Sequence, residues 1–532
     1  MPIPFSPSAE QAIIIDAFLD GHDIAVQAGA GTGKSTTLAF IAQSQLQHRP
    51  GASARYMTFN KRNAVEVDAM FAEYGLTNAK ASTAHSLAYR GCLADPSLKH
   101  MVTNMKRAPM QLKAEMALLG IAEDSLCLHA KVDYDAETKT YNDVCLPSRP
   151  LPFPAQRRYL TLARDTVTRF CQSADAQVTA RHVPYLGELE PKLRPLVRDH
   201  LIETAQRMWD ELASPTGRLK TGHAHYLKAW ALSRPQVGSP GDVILYDEAQ
   251  DASPVLADVV LSQRGRVQLV LVGDEYQSLY GFTGAVDAMQ GFQKEPGVIT
   301  LPLTECRRFG PSIAEVANQV LDRLDPDHES PMRLRGIGPE HGRVLTAFGR
   351  AETSTVDAVV CATNGQVIAA IIDQDAGGRT VHSTLDIGEL VSLANDVALV
   401  ERGCASEAKE PSLRRFTDLD TWQQWLSEPE AADAMLHSQV QIVHRYGRDE
   451  LRAVADRVVS DPDDADVTVS TIHKAKGGTW NRVQVAMGEQ LISDEDTAKL
   501  RMLYVAATRA RELVLVPPNL LETVRTEEPA AA

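Results

Sequence analysis

A glycine-rich stretch near the start of the chain has the residue types that bind phosphate. Between a run with strand character (23–27) and one with helical character (36–43) lies Ala28-Gly29-Ala30-Gly31-Thr32-Gly33-Lys34-Ser35-Thr36. Glycines let successive backbone N–H groups converge on an anion, Lys34 adds a cation, and the Ser35 hydroxyl can hold Mg²⁺. The stretch therefore predicts a nucleoside triphosphate site over residues 28–36.

A pair of adjacent carboxylates follows a second apolar run. Residues 243–246 have strand character and precede Asp247 and Glu248. Asp247 is predicted to complete the Mg²⁺ shell begun by Ser35, and Glu248 to orient or deprotonate an attacking water. An apolar run before Asp-Glu is a weak signal alone, but it gains weight because Lys34-Ser35 stands about 200 residues earlier. Simple switch GTPases do not have that separation.

The composition limits the class of protein. A chain of 532 residues is too long for one core and predicts two to four domains. It has no run of about 18 apolar residues and no basic region leading into an apolar N-terminal stretch, so we expect a soluble protein that is not secreted. The expected location is the cytoplasm, or the nucleus in a eukaryote. Seven scattered cysteines without a C-x-x-C pair argue against a zinc ribbon, an iron–sulfur cluster or a disulfide framework.

The net charge of −15 argues at first against a nucleic-acid partner. Residues 149–234 are an exception, because they carry 14 Lys and Arg against 8 Asp and Glu. This segment could line a channel for nucleic acid, or it could be the ordinary polar surface of a helical domain. Charge alone does not separate these two interpretations.

The order of the segments predicts an α/β fold. Strands and helices alternate over residues 1–90, which indicates a parallel sheet, and Ser6-Pro7 is a candidate N-cap and first turn for a helix over 10–18. Long helical patterns then replace the strands, and a second α/β unit begins near residue 301. The expected division is core 1 over 1–90 and 223–300, a helical insertion over 91–222, core 2 over 301–375 and 436–532, and a small insertion over 376–435.

Seven stretches, together with the phosphate loop, resemble the motifs of the UvrD/Rep branch of superfamily 1 helicases. Asp247-Glu248-Ala249-Gln250-Asp251 resembles motif II, and the phosphate loop takes the place of motif I. The others follow in the family's order: Thr58-Phe59-Asn60-Lys61 (motif Ia), Thr83-Ala84-His85-Ser86 (Ib), 273–285 (III), 303–310 (IV), 471–477 (V) and 503–510 (VI). Within the family, residues 59–61, 221–228 and 308–310 are most similar to the F-box-helicase type. Too few residues precede the phosphate loop for an F-box region to be expected there.

The resemblance implies a fold and a set of roles. It implies two RecA-like cores with ATP and Mg²⁺ between them, the second insertion being a reduced form of the family's 2B subdomain. Gln277 would sense the γ-phosphate, and Arg308 and Arg509 would stabilise charge on the transferring phosphoryl group from the second core. The alternative for either arginine is a surface salt bridge. Gln11, Arg307 and Gly477 would contact the nucleotide, with Gln11 reading adenine.

The same resemblance implies a set of contacts with a DNA strand. Rings would stack on bases and polar groups would bind phosphates. The residues concerned are Phe59, Asn60, Lys61, Thr83, His85, Tyr280, Phe282, Thr471 and His473. For the aromatic residues, a place in the core is an equally good explanation.

Three positions depart from the family pattern. Thr283 stands where motif III commonly has arginine, and Gly478-Thr479 where motif V commonly continues Leu-Glu. Arg307 replaces an aromatic residue over the adenine, although a guanidinium plane can also stack on a base. Nucleotide selectivity and coupling to DNA are therefore the properties that the departures put in doubt, while hydrolysis should persist.

These patterns predict an ATP-dependent DNA helicase or single-strand translocase, moving 3′ to 5′ by resemblance. Its expected partners are single-stranded DNA and tailed duplex DNA, and no association with a membrane is expected. One alternative is a translocase that displaces proteins with little unwinding, and another is a nucleotide-gated interaction module without a nucleic-acid track. The residues alone do not separate a DNA track from an RNA track, and they identify no protein partner.

Overall fold

The protein is described from a computed structural model. The description covers residues 3–58, 61–121, 129–135, 140–145, 153–186, 194–279, 288–327, 330, 332–416, 418–427, 434–488 and 491–521. Within these ranges, no helix combines the length and apolar character needed to cross a membrane.

The first part of the chain builds a six-stranded parallel sheet. In spatial order its strands are β3 (Ala79–Thr83), β2 (Ala54–Thr58), β6 (Val243–Asp247), β7 (Gln268–Gly273), β1 (Asp23–Ala28) and β8 (Val298–Leu303). Every residue of β6 is buried, as expected for a central strand whose two faces are both covered. Because the strands are parallel, the phosphate loop after β1 and the carboxylates at the end of β6 lie at the same sheet edge.

Seven helices accompany this sheet within the described residues. They are α1 (Ala9–Leu19), α2 (Lys34–His48), α3 (Lys61–Glu73), α4 (Ala84–Ala94), α9 (His223–Leu232), α10 (Pro254–Leu261) and α11 (Ala288–Gln293). The prediction of an N-cap at Ser6 is wrong. Ser8 caps α1 instead, because its hydroxyl accepts from the Gln11 N–H while the Gln11 side chain accepts from the Ser8 N–H, a reciprocal capping box.

A largely helical segment interrupts the first sheet between α4 and α9. Its helices are α5 (Lys99–Thr103), α6 (Leu112–Leu118), α7 (Phe153–Gln172) and α8 (Arg194–Ala213). It also contains an antiparallel hairpin that we did not predict, formed by β4 (His129–Asp135) and β5 (Thr140–Cys145). Leu160 of α7 and Trp209 of α8 belong to the same apolar cluster as Ile244 of β6, so the segment packs on one face of the first sheet.

The second part of the chain builds a parallel sheet of seven strands. In spatial order they are β11 (Arg343–Leu345), β17 (Ala510–Leu515), β16 (Trp480–Ala486), β12 (Ala358–Cys361), β15 (Val467–Thr471), β13 (Val381–Ser383) and β14 (Val458–Val459). The prediction of two parallel α/β units is confirmed. Strand β13 falls within the range expected for the small insertion but pairs with β15, so these three residues join the sheet instead. The bounds of the domains and insertions stay a prediction.

The described helices of this part cover both faces of the second sheet. They are α12 (Pro311–Leu324), α13 (Arg350–Thr353), α14 (Asn364–Ala376), α15 (Ile387–Glu401), α16 (Leu419–Ser427), α17 (Ala434–Arg457), α18 (Ile472–Ala475) and α19 (Thr497–Ala507). A left-handed Gly447 with φ 72° breaks α17 into two helical pieces. Tyr276 and Leu279, which follow β7, pack in the apolar cluster of α12 and α19. The two sheets therefore share part of one core.

A short parallel pair of strands sets the loop that faces the phosphate loop. Strand β9 (Glu305–Cys306) pairs with β10 (Arg335–Gly336). A Cβ atom on Gly336 would lie 2.3 Å from the Gly310 carbonyl oxygen, and one on Gly310 would lie 2.3 Å from the Pro339 carbonyl oxygen. The two backbones are thus pressed together immediately beside Arg307 and Arg308.

This close packing predicts that Gly336→Ala destabilises the second core. Overpacking against backbone costs about 1–3 kcal/mol, since neither chain segment has a side chain that can move aside. Thermal melting followed by circular dichroism should show a lower midpoint. The matched control is Gly291→Ala in α11, where a Cβ meets nothing within 4 Å and alanine favours the helix. Equal midpoints for Gly336→Ala and the parent chain would contradict the packing described.

Candidate active site

A cavity of about 660 Å³ lies between the carboxyl edge of the first sheet and the second sheet. Both sheets supply its walls. From the first come residues of the phosphate loop, of α3 and of the ends of β6 and β7, and from the second come the loop after β9 and residues near α18 and α19. The lining residues that carry charge are Lys34, Glu66, Asp247, Glu248, Arg307, Arg308, Arg509 and Arg511.

The phosphate loop has the backbone that its glycines predict. Gly31 and Gly33 have φ values of 71° and 85°, in the left-handed region that side chains rarely adopt. A Cβ on Gly31 would also lie 2.6 Å from the Arg308 Cβ, so the loop touches the second core directly. Lys34 opens α2, and its Nζ donates to the Ala28 carbonyl oxygen at 2.8 Å. The free N–H groups at this helix start suit an anionic ligand.

Asp247 lies where a cation would be held. Its Oδ2 is 3.4 Å from the Ser35 Oγ, the Tyr56 hydroxyl donates to the same oxygen, and its Oδ1 accepts from the Glu248 N–H at 3.0 Å. Burial, and after it the adjacent Glu248 carboxylate, raise the pKa of Asp247. A buried carboxylate with this surplus of negative charge, beside a hydroxyl, fits a divalent cation. Sequence reasoning missed Tyr56, whose only signal was its place near the end of a buried strand.

Glu248 is fixed by its backbone and by one amide. Its φ and ψ of 55° and 42° place it in the left-handed region, and the Gln250 Nε2 donates to its Oε2 at 2.5 Å. Burial alone would raise the pKa of Glu248, but the nearby Lys34 and Lys476 ammonium groups outweigh it and lower the pKa. The side chain is therefore an ionised hydrogen-bond acceptor at neutral pH, suited to orient a water.

Gln277 connects the two sheets. Its Nε2 donates to the Asp274 Oδ2 at 2.6 Å, and its Oε1 accepts from the Arg509 Nη2 at 3.1 Å. The same Asp274 oxygen accepts from the buried Tyr504 hydroxyl at 3.1 Å. Asp274 and Tyr504 were not predicted as site residues, although both lie inside stretches that resemble motifs. The four side chains form one hydrogen-bonded chain across the cavity floor.

Two arginines of the second core lie side by side at the cavity. Arg509 is 2% exposed, and its guanidinium also donates to the carbonyl oxygens of Val505 at 2.9 Å and Gly478 at 3.4 Å. Burial, with the neighbouring Arg308 adding to it, lowers the pKa of Arg509 to about 9, so it keeps its charge at neutral pH. Arg308 donates to the Thr508 carbonyl oxygen at 2.8 Å. Together they offer positive charge to an anion in the cavity.

A second link joins the cores through an ion pair that sequence reasoning missed. The Lys476 ammonium donates to the Asp251 carboxylate and, at 2.8 Å, to the Gln277 carbonyl oxygen. The two charged side chains are 10% and 3% exposed. Burial raises the pKa of Asp251 to about 6 even though Lys476 opposes the shift. The tail of motif II and motif V are thus held together away from water.

The other predicted nucleotide residues surround the loop in different ways. Gln11 is buried, and its Nε2 donates to the Thr37 Oγ1 at 3.0 Å while its Oε1 serves the capping box. Arg307 lines the cavity with an exposed side chain, and its N–H donates to the Gly31 carbonyl oxygen at 3.0 Å. Gly477, with φ 87°, lines the cavity beside Thr479. The roles given to these residues stay predictions.

The predicted DNA contacts are only partly within the described residues. Phe59, Asn60, Tyr280 and Phe282 lie outside them, as does the departure at Thr283.

The described members lie apart from the nucleotide cavity. Lys61 begins α3 and is exposed, as is His85. Thr83 and Thr471 cap α4 and α18. Burial lowers the pKa of His473. Their contact with DNA stays a prediction.

Two protein-family models match this chain. The UvrD/REP helicase N-terminal domain matches residues 8–296, and the UvrD-like helicase C-terminal domain matches residues 466–516. The first match covers the phosphate loop, Asp247 and Gln277, and the second covers Lys476 and Arg509. The matched ranges thus contain residues on both sides of the cavity, while Arg307 and Arg308 lie outside both ranges.

Three curated proteins are similar to the chain. F-box DNA helicase protein 1 of Schizosaccharomyces pombe is 25% identical over 560 aligned positions, which cover 98% of this chain and 58% of that protein. F-box DNA helicase 1 of Gallus gallus is 28% identical over 321 positions, covering 59% of this chain and 27% of that protein. The mitochondrial ATP-dependent DNA helicase HMI1 of Saccharomyces cerevisiae is 28% identical over 114 positions, covering 18% of this chain and 16% of that protein. The chain thus spans little more than half of the first of these relatives and about a quarter of the second.

Two substitutions at the cavity should separate binding from turnover. Lys34→Ala removes a cation next to the phosphate loop, so we expect weak ATP binding and no turnover. Glu248→Gln keeps size and hydrogen bonding but removes the proton acceptor, so ATP should still bind while turnover is lost. Equilibrium binding of a fluorescent ATP analogue and a phosphate-release assay measure the two effects. Glu315→Gln, an exposed change on α12, is the matched control, and near-normal turnover by Glu248→Gln would exclude the role given to it.

Arg509→Ala should lower kcat by about 10³-fold, because a buried cation near a transferring phosphoryl group stabilises its developing charge. We expect binding of single-stranded DNA to be largely retained. Steady-state kinetics beside a circular dichroism melt make the measurement. A collapse of the melting midpoint would instead assign Arg509 a structural role, and an unchanged kcat would remove it from the reaction.

Proposed function

The chain belongs to the UvrD/REP helicase family, and on that premise we propose that it is an ATP-dependent DNA helicase that moves along single-stranded DNA. The sequence-based prediction of this family, and of its likeness to F-box helicases, is confirmed by the two matched family models and the similar proteins. Those relatives are longer than the matched region, so activity on DNA is our proposal for this chain. The direction we propose is 3′ to 5′.

The observation that carries the proposal is the hydrogen-bonded path from Arg509 through Gln277 to Asp274. It places a cation of the second core on a side chain of the short turn that follows β7 in the first core. Loss of the γ-phosphate from the cavity changes what Arg509 and Gln277 can contact. A change in the phosphate is thereby converted into a change in how the two cores meet, which is what stepwise movement along a strand requires.

Each group of the cavity has a proposed task in hydrolysis. The phosphate-loop N–H groups and Lys34 bind the phosphates, and Glu248 orients the attacking water and accepts its proton. Arg308 and Arg509 stabilise the charge that develops on the phosphoryl oxygens. Ser35 and Asp247 are the residues that would hold Mg²⁺, which, when bound, neutralises charge on the phosphate oxygens.

A second candidate function is displacement of proteins from DNA with little strand separation. It is favoured by the small size of the segment predicted as the insertion of the second core, of which Val381–Ser383 already belongs to the sheet. Thr479, which stands in the motif V stretch where relatives commonly have another residue, also favours weaker coupling. Both candidates use the same ATP site and the same track.

One set of assays tests both. We expect single-stranded DNA to stimulate ATP hydrolysis, a 3′-tailed duplex to be unwound, and a 5′-tailed duplex to be left intact, with Lys34→Ala as the inactive control. Stimulated hydrolysis without unwinding, together with release of streptavidin from a biotinylated strand, would select the displacement candidate. Hydrolysis that DNA leaves unchanged would reject both, and unwinding of the 5′-tailed duplex alone would reject the proposed direction.

A further inference from the structure

Four aromatic or imidazole rings meet on the surface where α4 packs against α9. His85 and Tyr89 come from α4, and His223 and Tyr226 come from α9. The His85 ring lies 6.2 Å from both the His223 and the Tyr226 rings, and the Tyr89 and Tyr226 rings are 5.9 Å apart, all edge to face. The His223 Nδ1 lies 3.1 Å from the Tyr226 hydroxyl. We call these four residues the ring cluster.

The ring cluster borders an open cavity of about 430 Å³ that Ser86 and Arg90 also line. Tyr226 is 2% exposed, whereas Tyr89 is 37% exposed and His85 and His223 are exposed as well. The cluster thus has a buried base and open ring faces. Arg90 is exposed beside it, and within the described part of the chain no carboxylate pairs with it.

The ring cluster is held rigidly. A Cβ on Gly91 of α4 would lie 2.4 Å from the Trp230 Nε1 of α9, so the two helices are in close contact. The buried Lys228 donates to the carbonyl oxygens of Ser173 at 2.7 Å and Asp175 at 2.5 Å, which ties α9 to the end of α7. Rings fixed in advance lose little conformational freedom when a ligand binds.

The position and charge of the cluster suit a nucleic-acid strand. Helix α4 begins directly after β3, at the same carboxyl edge of the first sheet as the ATP cavity. The cluster also lies at the junction with the helical segment, whose residues 149–234 carry an excess of positive charge. Burial, and then the neighbouring His223, lower the pKa of His85, so at neutral pH it presents an uncharged ring.

We propose that the ring cluster is a stacking site for an unpaired base of the DNA strand, with Arg90 contacting an adjacent phosphate. The inference rests on the proposed function and deepens it, because it assigns contacts to Tyr89, Arg90 and His223, with the buried Tyr226 supporting the exposed rings. An unpaired base offers the planar face that such rings bind. The adjacent phosphate offers the negative charge that can pair with Arg90. If the cavity instead binds a side chain of a partner protein, DNA binding by the ring-cluster variants will depend neither on the bases nor on a phosphate contact that salt weakens. The test therefore distinguishes this alternative.

The test compares two fluorescein-labelled oligonucleotides, one of thymidines and one of equal length in which the central sugars lack bases. Binding is followed by fluorescence anisotropy with the full chain. Tyr89→Ala and His223→Ala should each weaken binding to the thymidine strand roughly tenfold, since one base–aromatic contact supports a change of about 5- to 150-fold. The two variants should also lose much of the parent chain's preference for the strand with bases.

Matched variants separate stacking from other causes. Tyr89→Phe keeps the ring and should bind as the parent does. Phe5→Ala removes a ring that is 43% exposed and packs against Phe40 of α2, outside the ring cluster and outside residues 149–234, and should have no effect. Arg90→Gln should reduce the slope of log K against log salt by about 0.7. The control Arg448→Gln, an exposed arginine of α17, should not change the slope. Thermal melts of all variants detect any loss of folding, and if Tyr89→Ala does not fold, His223→Ala decides.

The outcomes that overturn the inference differ from those that overturn the proposed function. If Tyr89→Ala and His223→Ala bind both strands as the parent does, the ring cluster does not contact DNA. Equal losses on both strands would mean that no base stacks there, and an unchanged salt slope for Arg90→Gln would remove the phosphate contact. A parent chain that binds neither strand and whose ATP hydrolysis ignores DNA would reject the proposed function itself.

Discussion

The arrangement of the two sheets depends on how the buried charge of Arg509 is compensated. A guanidinium that is 2% exposed is costly unless acceptors surround it. Within the second core it donates to the Val505 carbonyl oxygen of α19, the Gly478 carbonyl oxygen after α18 and the Thr508 hydroxyl, but its acceptor Gln277 belongs to the first core. Separating the cores would leave part of a buried charge without an acceptor. A phosphate group can replace that acceptor, which is why occupancy of the cavity and the distance between the cores are linked.

Much of the fold followed from the sequence because its signals are local. The buried strand over 243–247 was predicted almost to the residue, since a short apolar run followed by polar residues is typical of a central parallel strand. Local signals failed where pairing with a neighbouring strand decides whether a segment forms a strand. Val381–Ser383 is too short to show a period and becomes a strand only beside β14 and β15. The hairpin β4–β5 is a different case, because Ala130, Val132 and Tyr134 alternate with polar residues in β4 and the prediction overlooked that period.

The residues of the candidate site likewise divide into those that a local sequence signal predicted and those that it did not. Lys34, Ser35, Asp247 and Glu248 were found from residue type and spacing, and all four lie on one cavity. The side chains that connect them were not found, because Tyr56, Asp274 and Tyr504 are ordinary core residues until the chain brings their oxygens together. The Lys476–Asp251 pair was missed for the same reason. Its partners are 225 positions apart, and nothing local marks either as paired.

The left-handed backbone of Glu248 has a consequence for how this protein can change. At φ 55° a residue with a Cβ carries about 1–3 kcal/mol of strain, which glycine would not. Glycine would relieve this strain but cannot accept a proton, so selection for a relaxed backbone alone would erase the carboxylate. At Glu248 the backbone is therefore held in a conformation that is not its most relaxed one. Variant libraries screened only for thermal stability are expected to yield inactive proteins at this position.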